Sequence, residues 1–274
     1  MTIVASPALL QAPAHWRRLD FIADLHLQAD ADASFAAWRD FMQGTQADAV
    51  FILGDLFEVW VGDDAIGAVN ETDNFAARCV QVLTAAAQRL QVYFMHGNRD
   101  FLVGTSFATT CGLTLLDDPT VLEFGGQRWL LSHGDGLCLQ DTDYMKFRSQ
   151  VRSTQWQKHF LQKPLSERQV IGRQMRLQSE ESKRAGMANA GSLVDLDDQL
   201  TCDWLRAAGA DTLIHGHTHR PCEHDLGLGL RRVVLSDWDL LASPVRASVL
   251  RLTKAATADE APGARLERLP AALA

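Results

Sequence analysis

No run of 18 consecutive apolar residues occurs in the chain, so no segment reads as a membrane span. Nor does it open like a secretory leader. No Lys or Arg precedes the apolar stretch that ends at Leu10, and Pro7 interrupts it. Cysteine is sparse: Cys79, Cys111, Cys138, Cys202 and Cys222 lie far apart with no Cys-x-x-Cys, and their odd number argues against a disulfide framework. They read as small buried hydrophobes of a protein in the reducing cytoplasm. Basic charge is in deficit, with 26 Lys and Arg against 34 Asp and Glu and a formal charge of −8, which argues against nucleic acid as a partner. There is no internal repeat and no low-complexity tract. What remains is a folded chain of 274 residues, 47% apolar and 22% charged, long enough for one or two domains.

Short apolar runs end repeatedly in polar clusters. Leu19–Ala23 runs into Asp24-Leu-His26, Ala49–Leu53 into Gly54-Asp55, and Val92–Met95 into His96-Gly-Asn-Arg-Asp100. Trp129–Leu131 meets Ser132-His-Gly-Asp135, and Thr212–Ile214 meets His215-Gly-His-Thr-His219. Continuous apolar runs suit strands buried on both faces. Further strands are expected at Arg232–Leu235 and Ser248–Leu252. Between the first runs lie helical patterns at Ala33–Gln43, with Phe35, Trp38 and Met42 on one face, and at Phe75–Leu90. Strand, polar turn, helix, strand is a βαβ pattern, whose ligands collect at the carboxyl ends of the strands.

Residues 141–190 break the rhythm with a long helical pattern and a charge of their own, ten basic side chains against five acidic. We read them as a helical cap inserted over the site, with one apolar and one basic face. The plainer alternative is an amphipathic hairpin covering the sheet. Residues 17–140 and 191–255 then form the core, and 256–274 a weakly ordered tail.

The clusters carry metal-ligand chemistry. In D-x-H and H-x-H at a strand end, strand periodicity sets both outer side chains on one side. Imidazole mixed with carboxylate suits Mn, Fe, Zn or Co better than Ca or Mg. Asp24, His26, Asp55, Asn98, His133, His217 and His219 are too many donors for one ion and suit two ions sharing a bridging carboxylate, about 3.5–4 Å apart.

This ordered array resembles that of the calcineurin-like metallophosphoesterases: D-x-H, GD, GN[HR]D, H and G-H-x-H over residues 20 to 240. The resemblance implies an α/β fold, a four-layer sandwich of two mixed β-sheets flanked by helices. It places Asp24, His26 and His219 on one metal and Asn98, His133 and His217 on the other, with Asp55 bridging. Further runs narrow the match: Phe21-Ile-Ala-Asp-Leu-His-Leu27, Gly54-Asp-Leu-Phe-Glu-Val-Trp60 with Gly62-Asp-Asp64, and His96-Gly-Asn-Arg-Asp-Phe101. Asp141-Thr-Asp-Tyr144 after His133-Gly-Asp135, His215-Gly-His-Thr-His-Arg-Pro221 and Leu235-Ser-Asp-Trp-Asp239 complete the set. Together they are similar to the UDP-2,3-diacylglucosamine pyrophosphatase family of lipid A biosynthesis.

That similarity implies a hydrolase with two Mn²⁺ per chain. Attack of an activated water on the α-phosphorus would give UMP and 2,3-diacylglucosamine 1-phosphate. It implies a cytoplasmic enzyme in peripheral contact with the inner membrane and no obligate protein partner. Arg99 stands where most superfamily members carry a histidine that protonates the leaving oxygen. A phosphate monoester leaving group has a second pKa near 6 and needs little protonation, so a cation forked onto two phosphate oxygens is the more useful group. The alternative is that Arg99 pairs with Asp100 or Asp135, the two acids expected to orient the ligands. By resemblance, substrate contacts fall on Asp141, Tyr144, Arg176 and Ser179. Lys183 and Gly186 stand where the family pattern has Asn and Lys, so Lys183 would supply the cation one turn earlier. A soluble nucleotide or nucleotide-sugar is the competing substrate, against which the apolar insertion argues. A scaffold without activity is the competing class, against which seven intact donors argue.

Overall fold

The computed structural model describes residues 7–67, 74–189, 195–255 and 263–274, without the side chains of 179–189 and 273. The strands are β1 (Ala8–Gln11), β2 (Arg18–Ile22), β3 (Ala49–Leu53), β4 (Gln91–Met95), β5 (Thr114–Leu116), β6 (Thr120–Phe124) and β7 (Gln127–Leu131). β8 (Thr212–His215), β9 (Glu223–Gly227), β10 (Leu230–Val234), β11 (Ser248–Lys254) and β12 (Ala264–Pro270) follow. The helices are α1 (Asp32–Gly44), α2 (Phe75–Ala87), α3 (Thr105–Cys111), α4 (Thr142–Val151), α5 (Thr154–Leu161), α6 (Leu165–Asn189) and α7 (Asp198–Ala208).

The strands form two mixed six-stranded sheets, ordered β1-β6-β7-β8-β10-β9 and β12-β11-β2-β3-β4-β5. Alternate residues of the buried strands serve different cores, because successive side chains point to opposite faces. Phe21, Phe51, Leu53, Tyr93 and Met95 meet Leu122, Trp129, Leu131, Ile214 and Val233 in a core between the sheets. Ile22, Val50, Ile52 and Phe94 face the other way, onto Trp38, Met42, Leu83 and Phe107 of α1, α2 and α3. On the far side, Leu130 and Leu213 pack against Cys202 and Leu205 of α7. Helix, sheet, sheet, helix are therefore four layers, and strands with apolar residues at every position are what the two inner layers need.

β2, β3 and β4 run parallel in one sheet, and β7, β8 and β10 in the other. Their six carboxyl ends converge on one edge of the sandwich.

Two expectations need correction. Residues 264–270, read as part of a weakly ordered tail, form β12, which pairs antiparallel with β11 from Ser248↔Pro270 to Lys254↔Ala264. Its charged residues suit a sheet edge, which is why its alternation is faint in the sequence. Cys222 is exposed, whereas the other four cysteines are buried as expected.

Residues 142–189 contain no strand. Four of their basic side chains reach the core: Arg148 and Arg152 pair with Asp135, Arg168 with Asp64, and Arg176 with Glu58. Part of the basic excess thus balances core carboxylates, while Lys146, Lys158 and Arg173 are exposed. Gly172 of α6 lies against Val59 and Val61 so closely that a Cβ would stand 2.9 Å from each.

Candidate metal centre

Each of the six converging strand ends delivers a polar group. Asp24 and His26 follow β2, Asp55 follows β3, Asn98 and Arg99 follow β4, His133 follows β7, His217 and His219 follow β8, and Asp237 follows β10. The turns are stitched together by backbone bonds: Asp24 N–H to Gly54 O at 3.1 Å, His26 N–H to Asp55 O at 3.0 Å, and Trp238 N–H to Asp24 O at 3.1 Å.

Six described non-glycine residues have a left-handed backbone, and five of them are expected donors: Asp24 (φ 55°), His26 (φ 50°), Asp55 (φ 53°), His217 (φ 69°) and His219 (φ 55°). That conformation is unfavourable for residues with a Cβ and persists where a site requires it. It corrects the reason given for the D-x-H and H-x-H spacing. β2 stops at Ile22 and β8 at His215, so the paired donors share a side through left-handed turns, not strand alternation. The motif glycines serve the same crowding: a Cβ on Gly97 would run into the Asp55 carboxylate, and one on Gly216 into that of Asp24.

Donor atoms of Asp24, His26 and His219 lie within 4.8 Å of one another, as do those of Asp24, Asp55 and His133. Nε2 of His26 is 3.1 Å from Nε2 of His219. Asn98 Oδ1 lies 3.1 Å from His133 Nε2 and 3.0 Å from His217 Nδ1. All seven expected donors thus come together. They fit a pair of divalent cations. Oxygen and imidazole nitrogen suit such ions, and Asp24 Oδ1 is buried with no hydrogen-bond partner, a lone pair that a cation satisfies.

The electrostatics match a cation-binding pocket. Burial opposes the charge of Asp24, but the imidazoles of His219, His133 and His26 hold its carboxyl well below the usual range. Burial also opposes charge on His133, yet Asp55, Asp24 and Asp135 push its imidazole up to about 9. His217 is lowered to about 4 by burial and by its neighbour His133.

Asp100 and Asp135 sit behind the donors. Asp100 is fully buried and accepts N–H bonds from Asp55, Leu56, Phe57 and Gly97, which clamps the β3 turn to the β4 turn. Burial and the Asp55 charge raise it to about 7. Asp135 accepts from Tyr144 Oη at 2.6 Å, Arg148 Nε at 2.8 Å and Arg152 Nη2 at 3.3 Å. Arg152 Nη2 also donates to Gly97 O at 2.9 Å, so α4 touches the loop that carries Asn98.

Arg99 pairs with neither Asp100 nor Asp135. Its Nη1 donates to Glu58 Oε1 at 2.9 Å and its Nε lies 3.4 Å from Asp55 Oδ2. Tyr144 reaches the centre, its ring stacked on His217 at 6.1 Å. Asp141 is exposed and caps α4 by accepting from Tyr144 N at 3.0 Å. Arg176 meets Glu58. The side chains of Ser179 and Lys183 lie outside the described residues. Sequence reasoning gave no role to Glu58, Asp237 or Arg246, although Glu58 and Asp237 stand within motif runs quoted above. Their position in those runs was the available signal.

The calcineurin-like phosphoesterase family profile matches residues 17–221. The UDP-2,3-diacylglucosamine hydrolase of Chromobacterium violaceum is 44% identical over 227 residues, 80% of this chain and 90% of that protein. Its namesake from Pseudomonas entomophila is 42% identical over 225 residues, with the same coverage of each chain. Three quarters of the chain matched by one profile, and two relatives above 40% identity over nearly their whole length, lead to one conclusion: the chain belongs to the calcineurin-like phosphoesterase family, in the branch of the UDP-2,3-diacylglucosamine hydrolases.

Proposed function

We propose that the protein hydrolyses the pyrophosphate of UDP-2,3-diacylglucosamine, giving UMP and 2,3-diacylglucosamine 1-phosphate. The observation that carries this reading is the convergence of seven donors, on five strand ends, in a chain of this branch. Asp24, His26 and His219 would hold one cation and Asn98, His133 and His217 the other, with Asp55 between them; we assign Mn²⁺ to both. When bound, such ions lower the pKa of an attacking water and offset charge on phosphate oxygens. Water adds to the α-phosphorus as the bond to the bridging oxygen breaks, and the leaving group departs as a phosphate monoester.

The chain's own residues contribute placement and charge. Arg99, whose side chain is only 9% exposed, brings a guanidinium beside Asp55 on the same loop as Asn98. A buried fork of this kind binds phosphate oxygens in a fixed geometry. Tyr144 closes one side over His217 and is held there by Asp135. Asp141, Ser179, Lys183 and Arg176 complete the proposed substrate contacts.

We assign residues 17–140 and 191–255 to the catalytic core and 141–190 to a lipid-binding cap. Phe147, Leu161, Val170 and Leu177 of the inserted helices are exposed and apolar, which suits acyl chains and a membrane surface. No described helix is long and apolar enough to cross a membrane, so the contact we infer is peripheral, on the cytoplasmic face of the inner membrane.

The test is UMP release by metal-stripped protein, with and without Mn²⁺, from UDP-2,3-diacylglucosamine and from UDP-N-acetylglucosamine in parallel. Mn²⁺-dependent release from the acylated substrate alone is expected. Equal rates on both substrates would overturn the role given to the cap, and release from neither would overturn the substrate.

A further inference from the structure

The two halves of the centre differ in what stands behind their imidazoles. His26 and His219 aim the same nitrogen, Nε2, at a common point. Their other nitrogens both face carboxylates, His26 Nδ1 at 3.2 Å from Glu58 Oε2 and His219 Nδ1 at 3.8 Å from Asp237 Oδ2. The other half is backed differently. His133 Nδ1 faces the backbone carbonyl of Leu53 at 2.9 Å, and His217 turns Nδ1 itself toward Asn98.

Neither acid is one of the seven donors, and both are held in place. Glu58 stands three residues after Asp55 and its side chain is 14% exposed. Its second oxygen gathers Arg99 from the β4 turn and Arg176 from α6. Asp237 follows β10 and is 8% exposed. Arg246 grips it with Nε at 2.9 and 3.1 Å and Nη2 at 2.9 Å, and reaches Asp239 at 3.1 Å. A carboxylate that accepts the outer N–H of an imidazole fixes its tautomer and raises its basicity as a ligand; Glu58 is within that reach of His26, and Asp237 acts on His219 through its charge. A full negative charge there acts on the imidazole and its ion more strongly than the dipole of a neutral carbonyl.

We propose that Glu58 and Asp237 are positioning residues that make the Asp24–His26–His219 half the tighter of two cation sites, an inference that rests on the dinuclear reading above. Glu58 has a second consequence. The carboxylate that orients a metal ligand also orients the arginine of the β4 turn and an arginine of the inserted helix, so those groups share one anchor.

Full-length protein stripped of metal is titrated with Mn²⁺ alone, in the wild type, Glu58→Gln and Asp237→Asn. Bound metal is measured by elemental analysis after equilibrium dialysis, and the electron paramagnetic resonance spectrum reports whether ions are isolated or coupled. The wild type is expected to take up two ions in two steps. Each variant should weaken the first step by about 10–100-fold and leave the second unchanged, showing an isolated-ion spectrum where the wild type shows a coupled pair. The unchanged step also verifies that the variant is folded, and the two substitutions lie in separate turns, so each checks the other. A first step as tight as in the wild type, or equal weakening of both steps, would overturn the inference. Wild-type protein that binds fewer than two ions would instead overturn the dinuclear reading.

Discussion

His133 is buried, yet its imidazole is held up to about 9 by Asp55, Asp24 and Asp135. In metal-stripped protein the native state therefore keeps a proton that the unfolded chain loses near 6.5. The stability this contributes is complete below 6.5 and disappears as pH rises through 9. His26, His215 and His217 are lowered by burial, so their contribution is finished by 6.5. Asp100, raised to about 7, completes its contribution near the start of the window, and the buried thiols of Cys79, Cys111 and Cys138, raised to about 12 or beyond, add to the fall only above about 8.5, where the unfolded chain ionises. Urea unfolding of stripped protein should show stability falling by up to about 3 kcal/mol between pH 6.5 and 9; a flat or rising profile would contradict the assignment. At this scale the sequence was most informative, since all seven donors were legible as types and spacings. The reason they share a side was not. Strand periodicity was the argument available, whereas left-handed turns at Asp24, His26, His217 and His219 do the placing. Glu58 and Asp237 carry no spacing signature, because what they face comes from other strand ends.

Tyr144 and Arg148 of α4 and Arg152 at its C-terminal cap are spaced four apart, and so lie on one face. All three reach Asp135, which is fully buried. Arg148→Ala with Arg152→Ala strips a buried carboxylate of both its cations. Removing the partner of such a charge costs about 3–5 kcal/mol, which at this chain length lowers the melting temperature by roughly 10 °C. A loss below about 1 kcal/mol, measured by denaturant unfolding, would show that Asp135 does not depend on α4. The helical pattern of 141–190 was readable because apolar spacing is a local property. The destination of its charge was not readable, since Asp64 and Glu58 belong to turns more than a hundred positions away, and only Asp135 lies in the turn just before the insertion. Charge asymmetry between segments was nonetheless a true signal of their contact.

Across the whole molecule, the sandwich closes with β12 on the edge of one sheet. Ala264 and Leu266 of that strand pack against the core between the sheets. A chain ending at Ala255 should still fold, because β11 retains its pairing with β2, but it exposes that edge and a partly buried leucine. Stability should fall by roughly 2–4 kcal/mol, read as a lowered melting temperature. An unchanged value would return β12 to the status of a tail.

The sequence by itself determined the α/β class, the buried strands, the candidate donors and the family, because each depends on residue type and near spacing. The tertiary structure alone decided that the converging strand ends are divided between two sheets and include a sixth, that of β10. It also decided which carboxylate stands behind which histidine, and where the insertion's arginines go. Those are contacts between residues up to about two hundred positions apart, as for Asp24 and His217 or His26 and His219. No local pattern encodes such pairings; they exist only once burying apolar surface on both faces of each sheet has stacked four layers and brought the turns together.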